Sequence, residues 1–346
     1  MRVNIIGKLP PPKGGVTVHN ERLFMWLRKR NIDAKFTSIN NVDHKDDNVV
    51  YVNNMIKWMI NHLIKGFDSD IVHYQGANYF GLIYLVLVNS IFKNKFKLVF
   101  TIHGEGYINR LKEKKLLGFI IRLCFKKIDR IFVGGEHLVH QVKLFKGDTT
   151  NVVCVDAFLP PLKEGEKGIP KNLDKLFESN IPVICVNAYN VHLISHKSDL
   201  YGLHIISKLA KRLTEENIDC KFIVMIADIN NRDYLNGLFS NLDNVVLLSD
   251  NTINGWEIIS KSDLLIRPTS TDANAISMKE AMMYGVDVIA SDVVPRYKGV
   301  QTFCYPNVED LFDKVCYSLN YGFDKVEVEN NIDDYIFHYD CIYKMK

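Results

Sequence analysis

The sequence predicts an α/β protein of two doubly wound parallel sheets, each flanked by helices, and three observations carry the prediction. Short β-rich runs alternate with helical patterns along nearly the whole chain. The alternation breaks once, between Phe158 and Pro182, where prolines, glycines and charges crowd together. At 346 residues the chain is also long for one core. Residues 1–160 are therefore expected to form one domain, 161–181 a linker and 182–346 a second domain, with the last helical segment able to pack back on the first.

Each element has its own local signal. Residues 3–6 (VNII) read as the first strand and the PPPKGG after them as a loop. Residues 17–30 place Val18, Leu23, Phe24 and Leu27 on one helical face. Strand 34–38, an amphipathic helix over 49–65 and strand 71–73 come next. Residues 79–92, YFGLIYLVLVNSIF, are the longest apolar stretch. A membrane span needs ~20 residues, so a buried helix is expected there. Strand 98–102, a basic helix over 111–127, strand 130–133, a helix from His137 and strand 152–155 bring the first half to six strands.

The second half repeats the pattern with strands 183–187, 221–226 and 244–248 and helices 202–216, 233–239 and 255–260. An apolar run then ends in Arg267, a polar loop follows, a helix opens near Ala275 and closes at Gly285, and VDVIAS forms the next strand. A short strand over 303–305, a helix over 309–321 and a helical segment from about Val328 finish the chain. Ligands of open parallel sheets bind beyond the carboxyl ends of the strands, so the crevice between two such domains is the expected site.

Charge is unevenly spread. Residues 1–160 carry a net +11 and residues 161–346 a net −8, which favours an anionic partner for the first half. The seven cysteines show no CxxC or metal-type spacing, which fits free thiols in a reducing cytosol. The opening MRVNIIGKL lacks a signal-peptide pattern, so a cytoplasmic location is expected.

Several polar residues stand where strands should end. Gly14 and Gly15 let a backbone approach a bulky anion, with Thr17 able to cap the following helix, although a ligand-free turn has the same composition. His103 and Glu105 in TIHGEGY follow a strand directly, and His73 is a weaker candidate of the same kind. The polar loop 187–201 holds His192, His196 and Lys197, which either neutralise a pyrophosphate or are simply solvated. Arg267, ending an apolar strand, is either paired with an acid or holds an anion. Asp272 precedes the helix near Ala275 and Glu280 lies inside it, so both can border one crevice.

Taken together, PPPKGGVTVH, TIHGEGY and the acid-x7-Glu loop and helix followed by GVDVIASD resemble family 4 of the retaining glycosyltransferases. The resemblance covers essentially the whole chain, and residues 272–292 are its most specific part. It implies the GT-B fold, two facing Rossmann-like domains with an interdomain cleft. It also implies transfer of a hexosyl or N-acetylhexosaminyl group from a nucleotide sugar, with retained configuration and with no metal or other cofactor. Carried over by position, Gly14 and Gly15 approach the donor phosphates and His103 contacts the donor sugar near its reacting carbon. Asp272 holds sugar hydroxyls where the family has Glu, the backbone N–H groups of Asn274, Ala275 and Ile276 meet sugar and phosphate, and Glu280 holds the ribose hydroxyls. His103, Asp272 and Glu280 are thus the expected catalytic set.

The chain departs from the family at three places. Asp272 is one methylene shorter than Glu, Ala-Asn-Ala replaces the usual Gly-Phe-Gly after it, and Tyr201-Gly202 replaces a Lys-Gly pair. Lys197 and Arg267 are expected to stand in as the diphosphate cations. A glycan acceptor, lipid-linked and used in bacterial surface polysaccharide assembly, is the expected second substrate. The segment from Leu111 to Arg130 mixes apolar residues with seven Lys and Arg and is a candidate for peripheral contact with an anionic membrane. Aromatic interleaving of the kind that stacks bases is not evident, so nucleic acid is not an expected partner. Two other functions fit the same fold: a nucleotide-sugar epimerase, with Glu105 and His103 as candidate bases, and a non-catalytic partner subunit.

Overall fold

A computed structural model describes residues 1–40, 46–93, 95–163, 168–249, 253–271 and 275–345. The chain divides into two compact units. The first is made of Met1–Pro11, Gly15–Leu159 and Asn330–Lys346, and the second of Pro12–Gly14 and Pro160–Glu329.

The first unit contains strands β1 (Arg2–Gly7), β2 (Asp33–Ser38), β3 (Val49–Tyr51), β4 (Ile71–Tyr74), β5 (Lys97–Ile102), β6 (Arg130–Val133) and β7 (Val152–Cys154). They form one all-parallel sheet in the order β3-β2-β1-β4-β5-β6-β7. Helices α1 (Gly15–Lys29), α2 (Met55–Lys65), α3 (Tyr79–Ile91), α4 (Glu105–Glu113), α5 (Lys115–Phe125) and α6 (Glu136–Lys146) supply the connections. Strands covered on both faces read as continuous apolar runs, as Leu98, Val99, Phe100 and Ile102 of β5 do. The order of connection reverses between β1 and β4, which is where an open sheet of this kind leaves room for a ligand.

The second unit contains α7 (Lys171–Phe177), β8 (Val183–Asn190), β9 (Leu193–Ser195), β10 (Ser198–Asp199), α8 (Leu203–Glu215), β11 (Lys221–Asp228), α9 (Arg232–Phe239), β12 (Val245–Leu248), α10 (Gly255–Ile259), β13 (Leu264–Arg267), α11 (Ile276–Met283), β14 (Asp287–Ser291), β15 (Gln301–Phe303) and α12 (Val308–Tyr321). Its six-stranded parallel sheet runs β12-β11-β8-β13-β14-β15, with β9 and β10 as a small antiparallel hairpin. Here the switch point falls between β8 and β13. The last helix, α13 (Ile332–Tyr343), belongs to the first unit, where Ile332, Tyr335, Tyr339 and Ile342 pack with Ile5, Val99 and Phe132.

Four local readings differ from the structure. Residues 49–65 are strand β3 and helix α2 rather than one helix, because Val49 pairs with Phe36 of β2 and Asn54 caps α2 by accepting from Lys57 N at 2.9 Å. The basic stretch 111–127 is split between α4 and α5, since Lys114 leaves helical geometry at φ −107° and ψ 77°. Helix α3 buries only one face: Leu82, Leu85 and Val88 enter the core while Phe80, Leu87 and Ile91 stay exposed. Within the stretch 161–181, α7 inserts Leu173 into the core of the second unit, and Gly168 N donates to Glu257 Oε2 at 2.7 Å. No helix among the described residues is long and apolar enough to cross a membrane.

Candidate functional site

In the first unit, polar side chains gather at the carboxyl ends of β4 and β5, beside the switch point. His103 follows β5 and is half-buried; its Nε2 lies 2.7 Å from Gln75 Oε1, the side chain that follows β4. Gln75 Nε2 in turn lies 3.2 Å from Nε2 of His73, which is fully buried. His73 is held further by Thr101 Oγ1 at 2.7 Å and by the Tyr339 hydroxyl at 2.5 Å. His73 is therefore not open to a ligand; it is an interior member of a network that ends at His103.

His19 of α1 stands against His103 with ring centroids 5.5 Å apart and gives Nδ1 to the Ala157 carbonyl at 2.7 Å. Its Nε2 is buried and has no hydrogen-bond partner among the described residues. Burial lowers the His19 pKa to about 4, and burial with the neighbouring His19 charge lowers that of His103 to about 3. Burial, with the charges of His19 and His103, also holds His73 well below its ordinary value. At neutral pH all three imidazoles are uncharged, so His103, the one that is only half-buried, offers a ligand hydrogen bonds and no net charge. Glu105 does not join them: at the start of α4 it lies 3.8 Å from His137 Nε2, and both side chains are exposed.

In the second unit, Arg267 ends β13 at the switch point and is 8% exposed. Its guanidinium donates to the Asn187 carbonyl at 3.1 Å and to Asn187 Oδ1 at 3.3 Å, and it lies 5.7 Å from the Tyr201 ring centroid. The hydroxyl of Ser277, in the first turn of α11, donates to the same Asn187 Oδ1 at 3.2 Å. One asparagine thus ties β8, β13 and α11 together. Glu280 is buried one turn further along α11. Ala275 caps α11 with extended backbone and no side-chain hydrogen bond, and no acid sits in its first turn. Ala275 and Ile276, both half-exposed, supply no side-chain acceptor of their own to the start of that helix. Asp272 and Asn274 lie outside the described residues.

The other helix start nearby is already occupied by a carboxylate. Asp199, fully buried, accepts from Leu203 N at 3.0 Å, His204 N at 3.1 Å, His204 Nδ1 at 3.0 Å and the Tyr234 hydroxyl at 2.9 Å. Burial by itself would raise the Asp199 pKa, but the bonds from His204, Leu203 and Tyr234 outweigh it and hold the carboxyl below its ordinary 3.8. That carboxylate satisfies the first amides of α8 and offsets its dipole, so the start of α8 is not a site for a further anion. Asp199→Asn is expected to destabilise the chain by about 2 kcal/mol at neutral pH. Because the folded pKa is depressed, this contribution is present above the unfolded value and fades as pH falls through the folded one. Denaturant titrations at neutral and at strongly acidic pH check it, the gap between wild type and variant closing only in acid.

Lys197 occupies the exposed turn between β9 and β10, where its backbone N–H bonds Ser195 Oγ at 3.2 Å. It is not among the side chains gathered around Arg267. Gly14 groups with the second unit, where a Cβ would meet the Tyr189 ring at 3.2 Å, while Gly15 opens α1 of the first. Sequence reasoning missed His19, Gln75, Asn187, Ser277 and Arg296. The last donates to the Ser291 carbonyl and hydroxyl, both at 2.8 Å, at the end of β14. Gln75 and Asn187 carried a signal all the same, since each is a polar residue at the carboxyl end of an apolar strand, as His103 is.

No family model matches the chain, and no curated protein matches it in sequence. Solved structures do resemble it. Anabaena HepE in complex with UDP and glucose is similar with a TM-score of 0.64 and 13% identity, over 93% of this chain and 90% of that one. WaaG, a glycosyltransferase involved in lipopolysaccharide biosynthesis, gives 0.59 and 14% over 92% and 90%. The catalytic domain of starch synthase IV from Arabidopsis thaliana, bound to ADP and acarbose, gives 0.64 and 12% over 99% of both chains. With the two parallel sheets, these likenesses show a two-domain, Rossmann-like GT-B fold.

Proposed function

We propose that the chain is a retaining, metal-independent glycosyltransferase that moves a hexosyl or N-acetylhexosaminyl group from a nucleoside-diphosphate sugar to a lipid-linked glycan in the assembly of a bacterial surface polysaccharide. The observation that carries this reading is the start of α11, which brings the helix's first amides, behind an N-cap with no side-chain acceptor, together with the buried Arg267 and the buried Glu280. A diphosphate leaving group needs amides and a cation where its charge develops, and a ribose needs a carboxylate to accept from its paired hydroxyls. The nucleotides and sugars bound by HepE and starch synthase IV support the same ligand class.

In this reading Arg267 and the Ala275 and Ile276 amides hold the diphosphate, Glu280 holds the ribose, and the first unit supplies His103 for the donor sugar. Asp272 and the Asn274 amide are assigned to the sugar by the family resemblance alone. Gly14 and Gly15 are assigned to the phosphates on the same ground, and Lys197 is the outlying second cation. Catalysis is then mostly positioning and charge stabilisation, since among the described residues no side chain is placed as a covalent nucleophile. Incubation with a panel of nucleotide sugars tests the reading. Slow hydrolysis marks a transferase, whereas exchange between isomers marks an epimerase and inertness a partner subunit.

Membrane attachment is the second part of the proposal, and the helices of the first unit support it. Leu116 and Phe119 of α5 are 76% and 57% exposed, and the adjacent helices α3 and α2 expose Phe80 and Ile91, and Ile56 and Ile64. These three helices contain no Asp or Glu and carry Lys57, Lys65, Lys115 and Arg122. Exposed apolar residues on helices whose own charged residues are all cations suit an anionic lipid surface at the cytoplasmic side of a membrane. Co-sedimentation with phosphatidylcholine vesicles containing about one third phosphatidylglycerol is expected at low salt. Leu116→Ser combined with Phe119→Ser is expected to abolish it, and Lys57→Glu combined with Arg122→Glu to weaken it strongly. Absence of binding by the wild type, or loss of a dimer rather than of vesicle binding in the serine variant, would reject this surface.

A further inference from the structure

A buried hydrogen-bonded chain reaches His103 from the far end of the sequence. Tyr339 lies on α13, which returns to the first unit after the second unit is complete, and both Tyr339 and His73 are fully buried. His73 Nδ1 meets the Tyr339 hydroxyl, and Thr101 Oγ1 and Gln75 Nε2 both meet His73 Nε2. Gln75, 2% exposed, turns its carbonyl oxygen to His103 Nε2. One arrangement of protons satisfies every contact in this order. His73 carries its proton on Nδ1 and donates it to Tyr339, Thr101 and Gln75 donate to His73 Nε2, and His103 donates its Nε2 proton to Gln75.

We propose that Tyr339, His73 and Gln75 form a positioning relay that fixes His103 as the Nε2–H tautomer and leaves its Nδ1 as the hydrogen-bond acceptor offered to a ligand. Such an imidazole accepts from a neutral hydroxyl and has nothing to offer an anion. Two observations agree with this chemistry. The groups around His103 on the neighbouring elements, His19, His73 and Gln75, carry no charge at neutral pH, burial keeping the imidazoles unprotonated. The His19 ring beside it is likewise held in one tautomer, the opposite one, with Nδ1 donating to the Ala157 carbonyl and Nε2 buried and unprotonated, so it sets no proton against His103 from that atom. A neutral acceptor at the end of β5 suits a hydroxylated group. That the hydroxyl belongs to the donor sugar rests on the function proposed above, whereas the tautomer does not.

The test separates the two. Nitrogen-15 spectra of the full chain with labelled histidines report the tautomer of each ring, and His103→Gln identifies the His103 signals. The wild type is expected to show His103 protonated at Nε2. Tyr339→Phe and Gln75→Leu, neither of which touches the outward face of His103, are expected to turn that pattern into a mixture of tautomers. Gln75→Leu is also expected to lower kcat/KM for the donor about tenfold, chiefly through KM. An Nδ1–H His103 in the wild type, or one pattern shared by all three proteins, overturns the relay whatever the activity. The expected spectra with no nucleotide sugar turned over would uphold the relay and reject the proposed function instead.

Discussion

Gly202→Ala is expected to destabilise the second unit by about 3 kcal/mol or more. Two costs coincide there. Gly202 has φ 72°, a left-handed backbone that costs an L-residue about 1–2 kcal/mol. A Cβ would also lie 2.0 Å from the Pro268 carbonyl oxygen and 2.8 Å from its carbon, both backbone atoms that cannot swing away. The close approach has a purpose in the fold. It holds the chain before α8 against the loop after β13, where Ser270 N also donates to the Leu200 carbonyl at 2.9 Å. That loop leads from Arg267 to α11, so the variant should lose donor binding along with stability. Trp256 is the tryptophan of the second unit, the others being Trp26 and Trp58 of the first. Urea unfolding followed by fluorescence, in a chain with Trp26 and Trp58 replaced by Phe, reads the effect there. An unchanged midpoint would mean that Pro268 and Gly202 are not packed as described.

Arg267→Ala is expected to raise the donor KM or lower turnover at least tenfold, ~1.4 kcal/mol in transition-state stabilisation. The cation is buried at the end of a central strand, held by both oxygens of Asn187 and laid over Tyr201, so its position is set before any ligand arrives. Arg267→Lys should recover only part of the loss, because a compact ammonium cannot reproduce the planar guanidinium laid over Tyr201. Lys197→Ala should cost less than Arg267→Ala, since Lys197 is exposed at a hairpin turn and loses most of its reach to solvent screening. Steady-state kinetics with the preferred donor decide the order. Equal effects of the two alanines would move the diphosphate away from the end of β13.

The fold was legible because parallel strands buried on both faces write themselves as apolar runs; β5, β13 and β14 are plain in the sequence for that reason. Helix α3 was less so. Its hydrophobicity marks it as a helix that seeks burial, but only the sheet decides which face is covered, and Phe80, Leu87 and Ile91 fall on the other. Strand β3 is three residues long and has no periodicity to read. At the site, strand-end positions pointed to His103 and Arg267. The amides that orient them did not stand out, because Gln75 bonds a residue 28 positions away and Asn187 one 80 positions away, and such pairings leave no local pattern. Tyr339 is more remote still, 266 positions from His73. Lys197 shows the converse: a cation in the right loop by sequence is carried to the exposed tip of a hairpin by the pairing of β9 with β10.

Arg267, the start of α11 and Glu280 are assigned as the seat of a nucleoside diphosphate. Calorimetric titration tests this assignment without knowledge of the sugar or the acceptor. At least one of UDP, GDP and ADP is expected to bind the wild type about tenfold or more tightly than its monophosphate, ~1.4 kcal/mol, and Arg267→Ala to remove the difference. Equal affinity for diphosphate and monophosphate in the wild type, or a preference that survives in Arg267→Ala, would contradict it.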